Sequence, residues 1–392
     1  MEFRLINEST IKQTEILWDK CFEKADSSFF QWYFSHYALK QNKIIGGFSG
    51  DKLTAMVHLN PYELRLRGKS LKTRYLVGIA TDPCYRGQHI MGELLTTTFN
   101  LLRAAGTKVV ILEPINAGIY LPYGFAYTYL KQEYAMPLKA LTIPYIDYEL
   151  TMEEIATATA RPILQTIYTK VMQEYDSYVE RTEQNWENLL TVAAQEALEA
   201  AIVKENDRPV GYLLYSKVGT NILVQELMAE STNVQRRILG YLRGLAGTYE
   251  TLTWQAGPDD LTYLYFKEQS YCPKVAPFMM SRIINVEKIL ADLVIPTEFQ
   301  GREFILYIKD EFMPLNNTYA KVQLTAKGVV IKPTVDVPDL VMDITTFTQL
   351  YFGTYSAMHL YKQGKILGDS QELLKMLDVL LPKQNNFINE YF

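Results

Sequence analysis

A chain of 392 residues is too long for one ordinary core, so two or three domains are expected, and a hydrophobic fraction of 48% is ample to fill them. A net charge of −5 argues against a nucleic-acid binder, which would carry a basic face. Cys21, Cys84 and Cys272 stand far apart without a C-x-x-C, and the four histidines show no metal-ligand spacing, which argues against a zinc site and for a reducing, cytoplasmic compartment. The opening "MEFRLINEST" is acidic and polar, unlike a secretory signal, and no apolar run reaches the roughly 18 residues that span a bilayer.

In chain order, the first region reads as mixed α/β. Residues 9–24 have a helical pattern. Two strands follow in "KIIGGFSGDKLTAMVHLN" (43–60), joined at Ser49-Gly50-Asp51. The run "YELRLRGKSLKTRYLVGIATD" (62–82) continues with strands around Gly68. Met91, Leu94, Leu95, Phe99 and Leu102 recur at helical spacing, and Gly106 closes that helix. "KVVILEP" (108–114) is a short apolar strand, and "AYTYLKQEYAMP" (126–137) is a further one.

A second region, 142–286, repeats this order weakly. "AIVKENDRPVGYLLYSK" (201–217) matches the first hairpin in pattern, and 221–254 again reads strand–loop–helix–strand. Its loop, "AESTNVQ", contains no glycine, so it reads as a structural duplicate without a phosphate loop. The third region, 287–392, contains "EFILYIKD", "YAKVQLTAKGVVIKP" and "DLVMDI" as antiparallel strands. Two helices, roughly 345–362 and 369–381, and the tail "PKQNNFINEYF" complete it.

The most informative stretch is "CYRGQHIMGELL" (84–95), a loop that enters a helix. A strand ending in such a loop presents free backbone N–H groups at a helix N-terminus, which together form an anion site. Gly87 permits close approach, and Arg86 adds positive charge. By itself the pattern also fits a loop that merely reverses the chain. With "VGIATDP" ahead of it, the stretch resembles the acetyl-CoA motif V-x-P-x-x-R-x-x-G-[IL]-[GA] of the GCN5-related N-acetyltransferases (GNAT). Pro83, Arg86 and Ile90 fall in register; His89 replaces the later glycine and Met91 the small residue. A side chain at 89 leaves its own N–H free if the residue is helical. "NAGIYLPYGF" (116–125) then resembles the superfamily's Y-x-x-x-G-F, with Tyr120, Gly124 and Phe125 in place.

Taken together, the chain resembles the Eis (enhanced intracellular survival) type of acetyltransferase. That resemblance implies an α/β (α+β) fold: tandem GNAT-type acyl-CoA N-acyltransferase domains, 1–141 and 142–286, then a sterol carrier protein-like α+β domain. It implies acetyl-CoA as cosubstrate, an amine acceptor such as an aminoglycoside, a polyamine or a lysine, and a hexamer. It assigns the cofactor to the main chain of Ile79, Ala80 and Thr81, to the loop Arg86, Gly87, Gln88, His89, Ile90, Met91 and Gly92, and to Ile115 and Asn116. Tyr120 would protonate the departing thiolate. Family members end in an aromatic residue whose α-carboxylate is the general base; here that is Phe392.

An α-carboxylate is a weak base in water, with a pKa of about 3.5, and burial would strengthen it. Glu113 and Glu63 compete for that role, and Tyr123 competes with Tyr120. Phe22, Phe29, Phe30 and Trp32 either line an acceptor pocket or pack as core. Cys84 has no base beside it in sequence. A carrier of apolar ligands, or a scaffold without catalysis, is the alternative to an enzyme.

Overall fold

A computed structural model describes the chain from Met1 to Tyr391, the side chain of Gln269 apart; Phe392 lies outside the described residues. The first stretch runs β1 (Glu2–Leu5), α1 (Ile11–Cys21), α2 (Ser28–Trp32), β2 (Lys43–Ser49), β3 (Lys52–Leu66), β4 (Lys69–Thr81), α3 (Ile90–Ala104), β5 (Val109–Leu112), α4 (Ala117–Tyr120) and β6 (Ala126–Tyr127). Next come β7 (Leu130–Pro137), β8 (Thr151–Ile155), α5 (Arg161–Val171), β9 (Ser177–Val179), α6 (Glu183–Gln195), β10 (Glu199–Glu205), β11 (Arg208–Val218), β12 (Asn221–Ala229), α7 (Thr232–Gly244), β13 (Thr251–Ala256), β14 (Lys274–Pro277) and β15 (Met280–Ile283). The last part is α8 (Val286–Leu290), β16 (Glu303–Lys309), β17 (Thr318–Thr325), β18 (Gly328–Pro333), β19 (Leu340–Asp343), α9 (Ile344–Tyr351), α10 (Ala357–Lys362) and α11 (Gln371–Leu380).

Two sheets share one topology. The first runs β1-β2-β3-β4-β5-β15-β6, and the second, read the same way, runs β8-β10-β11-β12-β13-β7-β14. In both, a parallel pair sits in the middle: β4 with β5, and β12 with β13. Each sheet takes the strand beside that pair from a distant part of the chain. Strand β15 fills this place in the first sheet and β7 in the second. The run 126–137, which reads as one strand, is therefore two strands of different sheets. The chain changes unit after Tyr129 and again after Pro277. Thr128 and Tyr129 carry no turn residue; their N–H groups are satisfied by the carbonyl of Met279.

The first unit comprises Met1–Tyr129 and Phe278–Gln384. Alternation puts Ile45, Val57, Val110 and Met280 on the face that α3 covers with Leu94, Leu95 and Phe99. The third sheet, β18-β17-β16-β19, belongs to the same unit. It departs from the expected antiparallel pattern at one place, because β19 runs parallel to β16. The expected helix over 345–362 is two helices, since Gly353 turns the chain at φ +68.

One ion pair anchors this unit. Arg282 on β15 and Asp310 after β16 are both fully buried, with Nη2 donating to both carboxylate oxygens at 2.9 and 2.7 Å. The guanidinium lies over the Phe99 and Phe312 rings. Burial pulls the Arg282 pKa down, and the Asp310 charge opposes that shift. Asp310 is further held by Asn316 and the Met313 N–H. Removing one partner of such a pair costs about 3–5 kcal/mol, because the other charge stays buried.

The glycine of Y-x-x-x-G-F has its reason here. Gly124 has φ +78, and a Cβ on it would sit 1.5 Å from Arg282 Nη1. Gly124→Ala is expected to lower stability by about 2–4 kcal/mol through overpacking and backbone strain. Gly219 has φ +60 with nothing within 4 Å, so Gly219→Ala isolates the strain and is expected to cost about 1 kcal/mol. Thermal unfolding of the two variants checks this; equal losses would refute the steric role of Arg282.

The second unit, Leu130–Pro277 with Asn385–Tyr391, has a core on each face of its sheet. Leu213, Ile238, Leu239 and Trp254 belong to one, and Leu164, Trp186, Tyr212 and Phe387 to the other. The expectation that this copy lacks a phosphate loop has a structural counterpart. Only Glu230 and Ser231 separate β12 from α7. Ser231 caps the helix, and the Glu230 carboxylate pairs with Lys170 and Arg208.

Candidate active site

The parallel pairing of β4 with β5 covers only Arg74–Val110 and Tyr75–Ile111. Beyond it the strands diverge. On its other side β4 stays paired with β3 through Ala55–Thr81 and Met56–Ala80, with a bulge near Gly78. The edge of β4 after Tyr75 is therefore left open. A cavity of about 220 Å³ fills the divergence, and Trp18, Phe22, Glu23, Ile79, Glu113 and Tyr120 are among its walls. Gly78 has φ +57, and a Cβ there would stand 2.4 Å from the Trp18 ring. Its lack of a side chain lets the indole lie against the strand.

The loop that follows β4 is pinned at its start. Asp82 accepts from Lys20 Nζ at 2.8 Å and from the Cys84 N–H at 3.0 Å. Those bonds, the lysine's first, hold its pKa down at about 2. Arg86 turns back and donates from Nε to the Thr81 carbonyl at 3.2 Å. Gly87 and His89 both take positive φ, +78 and +59. His89 is thus left-handed rather than helical, in the position of the family's glycine, and its imidazole is exposed. Its N–H is free all the same. The N–H groups of Gly87, Gln88, His89, Ile90 and Met91 donate to no group among the described residues. Five such donors before a helix of 15 residues make an anion cradle.

Tyr120 is the last residue of α4, which Asn116 caps by accepting from the Gly118 N–H at 2.8 Å. Only 7% of Tyr120 is exposed. Burial raises its pKa, so the phenol keeps its proton at neutral pH. Its rival Tyr123 packs edge-on against Phe312 with ring centroids 4.9 Å apart, and it lies beside Gly92 rather than on the cavity. Ile115 is on the cavity wall and 82% exposed.

Among the competing carboxylates, Glu113 lines the cavity. Glu63 is opposite Lys72 in the distant half of β3. Phe22 lines the cavity, while Phe29, Phe30 and Trp32 pack on neighbouring rings. Trp18 and Glu23, which composition and spacing did not single out, are also there. The indole Nε1 donates to the Glu23 carboxylate at 2.8 Å. Behind Trp18, the buried His58 contacts the Tyr33 hydroxyl through Nδ1 at 2.9 Å. Burial pushes the His58 pKa down to about 3, which keeps it neutral. Cys84 is exposed and free.

Family models match three stretches of the chain. Residues 2–128 match an acetyltransferase (GNAT) domain, 177–283 a second acetyltransferase (GNAT) domain, and 286–389 a sterol carrier protein domain. The chain is a GNAT acetyltransferase with a sterol carrier protein domain. GNAT domains use acetyl-CoA as cosubstrate. Solved structures share the fold over the full length. A probable N-acyltransferase from Enterococcus faecalis V583 has a TM-score of 0.90 at 19% identity, covering 100% of this chain and 99% of its own. A GCN5-related N-acetyltransferase from Anabaena variabilis has a TM-score of 0.86 at 18% identity, with 100% of both chains covered. Eis1 from Mycobacterium abscessus has a TM-score of 0.78 at 18% identity, again over 100% of both. No curated protein sequence matches the chain. No helix among the described residues is long and apolar enough to cross a membrane.

The cradle suits the anionic end of acetyl-CoA, and the open edge of β4 suits its amide-bearing arm. Gly87→Pro removes one donor and fixes φ near −65°, so CoA affinity is expected to fall at least tenfold, on the order of one strong hydrogen bond. His89→Gly relieves a left-handed side chain. It is expected to bind CoA as well as the parent or better, without a loss in melting temperature. Calorimetric titration of both variants checks this. Abolished binding in His89→Gly would make the imidazole a direct ligand.

Proposed function

We propose that the first domain transfers acetyl from acetyl-CoA to an amine, with Tyr120 as general acid and the α-carboxylate of Phe392 as general base. The observation that carries this reading is the cavity between β4 and β5. It joins a buried, protonated tyrosine to an open strand edge, and the free N–H series starts six residues beyond the end of that strand at Thr81. The amine must lose a proton to attack, and the terminal carboxylate would take it. Main-chain groups of Ile79, Ala80 and Thr81 would orient the reacting carbonyl. The loop from Arg86 to Gly92 would hold the phosphates, and Ile115 and Asn116 would flank the cofactor. As the new N–C bond forms and the C–S bond breaks, Tyr120 would give its proton to the departing sulfur. Acetyl-CoA supplies the activated acyl group.

Glu23 and Glu113 on the cavity wall favour a cationic acceptor, in keeping with an aminoglycoside, a polyamine or a lysine side chain. A thiol-release screen over these three classes tests that choice. The hexamer and the cytoplasmic location belong to the same reading, the first resting on the family resemblance and the second on the scattered cysteines. The domain assignment, catalytic 1–141, degenerate 142–286 and sterol carrier-like 287–392, is part of it.

The alternative, a carrier of apolar ligands, finds little support. The apolar cavity in the third region, bordered by Leu290, Phe304, Met342 and Leu377, has a volume of about 30 Å³. That is about one water's share of liquid volume, far below what an acyl chain needs.

Tyr120→Phe keeps the ring and deletes the proton donor. Turnover is expected to drop by about 10²–10⁴ with CoA affinity nearly unchanged. Steady-state thiol release checks it, and unaltered turnover would pass the role to water.

Deleting Phe392 withdraws the terminal carboxylate by up to about 3.5 Å along an extended chain. A loss on the order of 10²-fold in turnover is expected, because misplacement by about 1 Å already costs that much. A C-terminal extension, which replaces the charge by an amide, is expected to do the same. Equal rates in the native-ended, deleted and extended forms would transfer the base to Glu113.

A further inference from the structure

The second sheet has the same central divergence as the first. Strands β12 and β13 pair in parallel from Asn221–Thr251 to Leu223–Thr253 and then part. Strand β12 also carries a bulge, at the register shift beside Gln225, as β4 does near Gly78. In the first domain that divergence is a cavity. In the second, residues 385–391 of the same chain occupy it. Asn389 Nδ2 donates to the Gln225 carbonyl at the bulge at 3.1 Å. The Tyr391 hydroxyl bonds to Gln255 on β13, and Lys131 on β7 sits over its ring. Further back, the Phe387 N–H donates to the Ser177 carbonyl at 2.9 Å, and the Asn385 N–H to Asp176.

The buried Phe387 and Ile388 anchor the segment, and a buried charge network specifies its end. Arg181, 1% exposed at its side chain, donates from both terminal nitrogens to Glu226 on β12, at 2.7 and 3.0 Å. Its Nε donates to Glu390 at 2.7 Å and its Nη2 to the Asn389 carbonyl at 3.2 Å. The guanidinium stacks over Tyr168 and Trp186. Glu226 also accepts from the Tyr212 hydroxyl at 2.6 Å and from Asn389 at 2.9 Å. Asn389 and Tyr391 thus reach both strands of the divergence, and Glu390 reaches Arg181 beside it. Meanwhile Ser231 caps α7 by accepting from the Val234 N–H, and the Glu230 carboxylate before it is paired with Lys170 and Arg208.

We infer that the second acetyltransferase-like domain is a receptor for the chain's own C-terminal segment, held where the first domain holds the cofactor arm, with Arg181 and Glu226 as its recognition pair. Arg181 is a positioning residue: it fixes Asn389 and Glu390 near the end of the described chain. The docking stands without any role for Phe392; only its effect on turnover rests on the proposed function.

Hydrogen exchange on the unaltered protein is the first test. The peptide covering 385–391 is expected to exchange on the order of 10²-fold more slowly than an unstructured chain, as its buried amide bonds require. Exchange at the rate of a free terminus would overturn the inference. Glu390→Ala then removes one charge-assisted bond while leaving the Arg181–Glu226 pair intact. Protection of 385–391 is expected to fall by about tenfold to a hundredfold, that of β10 and β11 to hold, and Glu390→Gln to recover part of it. Unchanged protection in Glu390→Ala would sink the recognition role. Turnover separates the two readings. Released tail with turnover lowered and CoA affinity kept supports both. Released tail with full turnover supports the receptor and removes Phe392 from the mechanism.

Discussion

Two parallel strands that pair for two or three residues and then part leave main-chain N–H and C=O groups open in the middle of a sheet. Such groups cannot stay buried and unpaired without a cost of a few kcal/mol each. The divergence of β4 from β5 therefore demands an occupant that offers hydrogen bonds along its length. A cavity, a strand edge and a helix N-terminus with free donors follow one another in the first domain because the chain leaves the sheet there. The duplicated divergence, β12 from β13, meets the same demand with the protein's own residues. One geometric defect thus has two outcomes, and the loop before the following helix decides between them. Where that loop carries Gly87 and a run of free N–H groups, an anion can enter; where it is reduced to Glu230 and Ser231, no such run exists and Ser231 caps the helix itself.

Packing around the first site is tied to the third sheet through a single charged pair. Arg282 comes from β15, the strand that completes the first sheet next to β5, and Asp310 from the end of β16. A buried pair of this kind contributes little against well-packed apolar residues, but it is costly to break. It also dictates a neighbour. Only a residue without a Cβ can occupy position 124 under the guanidinium, and that residue ends the turn that begins at Tyr120. The motif Y-x-x-x-G-F therefore joins a candidate acid to a packing constraint four residues away.

Much of this was legible in the sequence because it is local. Helical spacing from Met91 to Leu102 and the glycine after it delimit α3, and the Tyr120 and Gly124 spacing marks the turn. Features decided by tertiary partners were not legible. The run 126–137 is evenly strand-like, and no turn residue betrays that Thr128 and Tyr129 separate two sheets. Alternation reveals which faces are buried but not strand direction, so parallel β19 could not be distinguished from an antiparallel strand. Trp18 on α1 and Glu23 just after it reach the cavity only through folding against β4. A helical residue at 89 is what the sequence suggests for keeping its N–H free. The backbone instead keeps the glycine-like left-handed turn and places the side chain outside.

The strand exchange and the docked tail have a joint consequence. Strand β7 is supplied to the second sheet from the end of the first catalytic stretch, and residues 385–391 reach the second unit from the end of the third. Neither acetyltransferase-like sheet can be completed by its own contiguous sequence. The second domain, which carries no phosphate loop, is then not spare material. Its sheet needs a strand that follows the first site, and its divergence needs the chain's last residues. The second sheet is held in its fold by segments from distant parts of the chain that are threaded through it.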